Sequence, residues 1–346
     1  MPAAETSIDW ASSYTADWRV VEVDPATWEA GGSIVDATAA SLSRDATGRL
    51  LETGSLTVDM EPTDSPTEMW ARVEALVTQG AEMERVPVCT MLYAPGRGTV
   101  RYGRMSVPFD GRSALAPAED VCMQVGGYVP AGADGAAAAA RIIGQCTPAP
   151  ITADGQFALA EAVVFAEGTT CLEAAWMLVD AAGWCIQVDG RGEISIRPKP
   201  KEPALVLDRA RAQMIAPTVE SDDGLSGVPN RYIAADDGEL ATAVDMDEGR
   251  ASSYPRLGRY VDRFDGSPSR LDGETLQAYA ERKLAELTSK GGTRSYTRDF
   301  APGVTVYDMV RGSLADAALV GNMRIVSQSM RLGGRLELSE TSEVVI

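Results

Sequence analysis

Residues 230–249 read NRYIAADDGELATAVDMDEG and gather Asp236, Asp237, Glu239, Asp245, Asp247 and Glu248 around a D-x-D-x-G run that ends at Gly249. Carboxylates at this density can ligate a hard cation, exchange a proton in acid/base chemistry, or turn the chain and keep it solvated. A Ca²⁺ loop of the EF-hand kind needs oxygen ligands at positions 1, 3 and 5, Gly at 6 and a bidentate Glu at 12. Counted from Asp245, position 3 is Asp247, but position 5 is Gly249, position 6 is Arg250 and position 12 is Arg256. The ligand pattern fails at its strongest donor. The expectation is a hairpin tip at Asp236-Asp237-Gly238 and a solvated loop at 245–249, with a loose Ca²⁺ site near Asp245 and Asp247 left open.

What the chain lacks narrows the remaining chemistry. It has no histidine, which removes Ser-His-Asp triads, Cys-His dyads, facial-triad iron and the usual zinc sites. A carboxylate-pair hydrolase needs two acids held across a bond with one pKa lifted, and 50 acidic residues single out no such pair. There is no Walker A motif or dinucleotide fingerprint, and the Gly-rich DGRGEI (189–194) precedes a strand, whereas a phosphate loop must open a helix. Trp10, Trp18 and Trp28 lie close in sequence and offer a sugar-stacking platform as an alternative to packing; Trp70, Trp176 and Trp184 are expected in the core. Cys89, Cys122, Cys146, Cys171 and Cys185 contain no C-x-x-C pair and read as buried thiols of a protein made in a reducing cytoplasm. The expectation is therefore no enzyme, with no catalytic, cofactor-binding or metal-ligating residues and no cofactor.

The elements that must position these residues begin with strand-like alternation at 18–24, 32–43 and 54–60. Then SPTEMWARVEALVTQG (65–80) carries a capping box from Ser65 to Glu68, Pro66 at the first helical position and Met69, Val73, Leu76 and Val77 on one helical face. A helix is predicted there, followed by strands at 86–94 and 98–109. The middle holds an Ala-rich helix over 133–145, expected on the surface, a second capping box from Thr170 to Glu173, and a hairpin of WCIQV and EISIR around DGRG. PKPKEP (198–203) reads as a linker. The last part repeats the layout: strands at 230–236, 239–246 and 258–265, a helix within 272–291 capped by Asp272 and Gly291, strands at 294–301 and 305–310, and a closing hairpin through Gly333-Gly334.

Four segments together, SLSRDATGRLLETGSLTVDM (41–60), GTTCLEAAWMLVDAAGWCIQVDGRGEISIRPKP (168–200), GVPNRYIAADDGE (227–239) and 256–288, resemble bacteriophage tail-hub proteins, the baseplate-hub or tail-tip family that includes the hub of phage T4. The resemblance implies a β-rich α+β fold of two tail-tube-like antiparallel β-barrels, each with a helix, plus an inserted α+β module. The expected boundaries are 1–114 for the first barrel, 115–203 for the module and 204–346 for the second barrel, with PNRYIA opening the latter. It further implies a homotrimeric ring that joins the hexameric tail tube to the threefold tip and lets DNA pass during ejection. The implied partners are tail tube or distal tail proteins, spike or fibre proteins, and the tape-measure protein. The implied location is the virion, after assembly in the host cytoplasm. Some relatives continue into wall-degrading domains; the last residues here fall at the closing hairpin, so no such domain is expected.

The charge agrees with that expectation. With 31 basic against 50 acidic residues the formal net charge is −19, which opposes binding to phosphate backbones or anionic membranes. DNA in a lumen would be repelled rather than gripped. No apolar run approaches the roughly 18 residues of a membrane span, and the N-terminus lacks the basic and apolar regions of a signal peptide. No membrane partner is expected.

Overall fold

The computed structural model describes residues 8, 10, 12, 14–207, 219–222, 228–236, 238–268, 270, 273–288, 290–314, 319–332 and 336–345. The first third is built of strands: Thr15–Val23, Ala30–Val35, Ala37–Asp45, Glu52–Met60, Met69–Gln79, Glu82–Pro95, Thr99–Arg101 and Arg104–Arg112. The helix predicted over 65–80 is instead the strand Met69–Gln79, with Ser65 and Glu68 in the irregular stretch before it. The reason is tertiary. Ala71, Val73, Ala75 and Val77 are all buried, a period of two that the helical reading of Met69, Val73, Leu76 and Val77 obscured. The strand is held on both edges, by Thr15–Val23 on one side and Glu82–Pro95 on the other, and these ladders outweigh local helix propensity.

Among the described residues, a 14-stranded sheet dominates the molecule. Its path runs Glu220–Asp222, Lys290–Asp299, Glu337–Val345, Leu319–Arg331, Ala37–Asp45, Glu52–Met60, Arg104–Arg112, Glu82–Pro95, Met69–Gln79, Thr15–Val23, Ala30–Val35. Three strands lie off this path: Pro203–Leu207, paired in parallel with Met309–Leu314, which in turn pairs with Leu319–Arg331, and Thr99–Arg101, paired with Arg104–Arg112. The expected pair of closed tail-tube barrels, each with a helix, is not present. The sheet is open, its path ends on two edge strands that do not pair, and among the described residues the first third contains no helix. What joins the chain's two ends is the antiparallel ladder between Ala37–Asp45 and Leu319–Arg331.

The middle residues form helices Ala116–Asp120, Gly135–Gly144 and Cys171–Ala181, and a small sheet of Ile151–Ala153, Ile194–Pro198 and Trp184–Val188. Thr170 and Glu173 make the predicted capping box, each side chain bonded to the other's backbone N–H. The Ala-rich helix is not on the surface. Ala136, Ala138, Ala139, Ile142 and Ile143 are buried with Leu172, Ala175 and Val179, because small side chains let two helices approach closely. The WCIQV/EISIR hairpin forms as expected, in register Val188↔Ile194.

In the last part the strand Arg231–Asp236 does not enter the large sheet, contrary to its reading as the opening strand of a second barrel. It pairs with Glu239–Val244 and Asp262–Asp265 in a separate three-stranded sheet. One face of that sheet, Tyr232, Ala234, Ala241 and Ala243, packs on Leu276, Tyr279, Ala280 and Leu284 of the helix Leu276–Thr288. The repeated layout seen in sequence is therefore not a repeated structure: the last helix serves a satellite sheet. Asp272, Asp237 and the Gly333-Gly334 turn lie outside the described residues, and Gly291 falls within a strand. The strand expected at 305–310 starts later, at Met309–Leu314. No helix among the described residues is long and apolar enough to cross a membrane.

Candidate functional site

The ladder that joins the chain's ends carries a row of polar side chains through the interior. Register places Tyr296 beside Glu340, Glu340 beside Gln328, Gln328 beside Arg44 and Arg44 beside Glu52, on five successive strands. All five are buried, as is Arg298. Arg298 Nη2 and Nε donate to Glu340 Oε2 at 2.6 and 3.0 Å, and Tyr296 donates to the other carboxylate oxygen. Gln328 is the joint: its Nε2 donates to Glu340 Oε2 at 2.9 Å while its Oε1 accepts from Arg44 Nη1 at 3.3 Å. Arg44 Nε then donates to Glu52 Oε1 at 2.5 Å and Nη2 to the Val88 carbonyl at 2.8 Å. Burial pushes the Glu52 carboxyl above its usual range, with Arg44 pulling the other way. Burial, then the Glu340 charge, pushes the Tyr296 hydroxyl well up.

These groups face each other rather than a cleft. The row pairs its charges across the strands, leaving Glu52 Oε2 buried without a hydrogen-bond partner, and it favours this register, since a slip of one residue would leave further charges unpaired in the interior. Sequence reading missed the row. Its only local trace is a polar residue at an inward position of each strand, and its partners are up to 284 residues apart.

A second junction is built on a turn that was legible in sequence, although the contacts it makes with the large sheet, 100 to 163 residues away, were not. In the turn Asp189-Gly190-Arg191-Gly192, Asp189 Oδ1 accepts from the N–H groups of Arg191 and Glu193 at 2.8 and 2.9 Å. The turn presses onto the large sheet. Thr90 Oγ1 donates to the Gly190 carbonyl at 3.1 Å, and Trp28 Nε1 and Arg72 Nη2 donate to the Arg191 carbonyl at 2.8 and 3.1 Å. A Cβ on Gly190 would lie 2.3 Å from the Pro87 carbonyl oxygen, and Gly192 adopts φ +75 against Thr90 and Trp28. The glycines serve close approach of backbone to backbone, with no anion cradle involved.

Asp245 Oδ1 accepts from the Asp247 N–H at 3.1 Å and Asp247 Oδ1 from the Gly249 N–H at 2.9 Å, the geometry of a chain reversal. Arg250 lies 3.5 Å from Asp245 and 3.3 Å from Asp247, so a guanidinium occupies the ground between the two carboxylates. No group of three or more His, Cys, Asp or Glu side chains converges as metal ligands among the described residues. Asn230, whose role was not anticipated, ties the surrounding loops: its Nδ2 donates to the Ser252 and Arg259 carbonyls at 3.2 and 3.0 Å, and its Oδ1 accepts from the Val261 N–H at 2.8 Å.

The three N-terminal tryptophans do not share a face. Trp28 is buried edge-on to Trp70 in one core, while Trp10 and Trp18 pack against another. The platform offered as an alternative has no geometry to support it. Of the cysteines, Cys89, Cys171 and Cys185 are buried, Cys146 is half-buried and Cys122 is exposed, which corrects the expectation of five buried thiols.

No protein-family model and no curated protein matches the chain. Its likeness is to solved structures. A prophage MuSo2 43 kDa tail protein from Shewanella oneidensis matches with a TM-score of 0.66 at 14% identity, over 94% of this chain and 98% of that one. A tail protein from Neisseria meningitidis MC58 matches with a TM-score of 0.67 at 14% identity, over 96% and 97%. The prophage tail protein gp18 from Listeria monocytogenes EGD-e gives 0.56 at 10% identity, over 94% of each chain. Identity this low with coverage this broad is the mark of a shared fold: the chain has the architecture of phage and prophage tail proteins.

Proposed function

We propose that the chain is a structural tail protein, a hub that closes into a threefold ring between the tail tube and the tail tip and lets DNA through during ejection. The observation that supports it best is end-to-end likeness to prophage tail proteins, 94–96% of this chain on 97–98% of theirs. Charge supports the open passage, since a net −19 chain repels phosphates at distances of about 8 Å or less at physiological salt. The buried ionic row supports a scaffold role, its arginines being paired with its own carboxylates inside the sheet. In this reading residues 1–114, 115–203 and 204–346 are three building regions, and the partners are further copies of the chain, tube or distal tail proteins, spike or fibre proteins and the tape-measure protein. The protein acts in the virion after assembly in the host cytoplasm, without catalysis or cofactor. Cryo-electron microscopy of the parent particle tests this: density for the chain in a threefold ring at the tube end is expected, and its absence there would overturn the proposal.

A further inference from the structure

Two exposed hairpins, one in the first third of the chain and one in the last, have complementary chemistry. The first is the ribbon of Thr99–Arg101 and the start of Arg104–Arg112, joined by Tyr102-Gly103 with φ +52 and +77, the signs of a type I′ turn. Residues 96–104 are all exposed, and Tyr102 at its tip is 99% exposed in a conformation that a residue with a Cβ rarely adopts. From 95 to 105 the sequence is PGRGTVRYGRM, with three arginines and no acid in a chain of net charge −19. Arg104 leans on Asp36 at 3.7 Å, whereas Arg97 and Arg101 point into solvent.

The second hairpin is Arg231–Asp236 with Glu239–Val244 and the loop beyond it. From 232 to 249 it contains acids and no base. Its inner face packs on the helix Leu276–Thr288, but its outer face leaves Leu240 72% exposed, with Phe264 on the paired strand and Met246 in the loop exposed as well. The arginines alongside are engaged with acids of the same surface, Arg231 with Asp262, Arg250 with Asp245 and Asp247 and Arg270 with Asp236, which leaves the exposed Glu239 and Glu248 next to uncovered apolar side chains, a surface suited to a partner with apolar tips and positive charge.

We propose that the arginine ribbon 96–104 of one copy docks on the acidic hairpin 232–249 of the next, Val100 and Tyr102 covering Leu240 and its apolar neighbours while Arg97 and Arg101 meet Glu239 and Glu248. The contact joins two different surfaces, so it can run head-to-tail from copy to copy, the geometry that a ring requires. It rests on the ring reading above and names the surfaces that would close it.

The test places a photo-crosslinking benzoylphenylalanine at position 102 of the full chain, in mixtures of light and ¹⁵N-labelled protein and in assembled tails. Crosslinks between light and heavy chains that map to 232–249 are expected. Arg97→Glu with Arg101→Glu should weaken self-association about tenfold, and adding Glu239→Lys with Glu248→Lys should restore it. Crosslinks confined to one chain or mapping elsewhere would overturn the proposal, as would charge reversal without effect. Unchanged self-association together with lost binding to a labelled DNA duplex would also overturn it, in favour of a nucleic-acid contact. A threefold ring in particles whose position 102 crosslinks elsewhere would sink this contact and leave the hub reading intact. Light–heavy crosslinks to 232–249 without a ring at the tube end would do the reverse.

Discussion

At the scale of single residues, environment decides reactivity and titration. Burial pushes the Cys89 and Cys185 thiols up to about 12, so neither supplies thiolate near neutral pH, whereas Cys122 is exposed. Iodoacetamide labelling followed by mass spectrometry is expected to modify Cys122 first and Cys89 and Cys185 only after unfolding. Burial also lifts Glu52 above its usual 4.5 despite Arg44, so the folded chain holds that proton more tightly than the unfolded chain does. This contribution to stability is complete below the unfolded value and is lost as pH rises through the folded one. Glu52→Gln should therefore flatten the fall in urea midpoint as pH rises above the usual 4.5, and an unchanged slope would exclude the assignment. The Asp245 and Asp247 turn was legible because its hydrogen bonds span two residues. The Arg44, Gln328 and Glu340 row was not, because nothing near Gln328 in sequence distinguishes it from a surface glutamine.

At the scale of elements, short-range signals succeeded where the partner is close and failed where it is remote. Thr170 and Glu173 cap a helix in sequence and in space, and the hairpin 184–198 closes on itself. The same capping signature at Ser65 and Glu68 pointed to a helix that two flanking ladders replace with a strand, and the alanine run looked solvated because alanine carries little information about burial. The DGRG turn shows what such a hairpin is for, because its glycines let the middle residues seat on the large sheet. Gly190→Ala, which drives a methyl group into the Pro87 carbonyl, is expected to cost about 1–3 kcal/mol. Denaturant unfolding measures this loss, and a variant of unaltered midpoint would show that the turn is not seated.

At the scale of the whole molecule, one open sheet replaces the two closed barrels that the family resemblance implied. Alternating strands were readable, but whether a sheet closes depends on which edge strands meet, and that is set by pairings such as 37–45 with 319–331. Arg298 sits fully buried beside this ladder on the carboxylate that Gln328 also holds. Arg298→Ala leaves Glu340 buried without its counter-charge and should cost about 3–5 kcal/mol, read from calorimetric unfolding. Limited proteolysis of that variant should cut first in the C-terminal strands, and a wild-type digestion pattern would argue against the row as the joint.

The same ladder bears on synthesis. Arg44 leaves the ribosome long before Gln328, 284 residues later, so at about 5–20 residues per second the strand 37–45 waits roughly 15–60 s for its partner. During that interval the nascent chain exposes a free β edge, a template on which its siblings on the same message can pair.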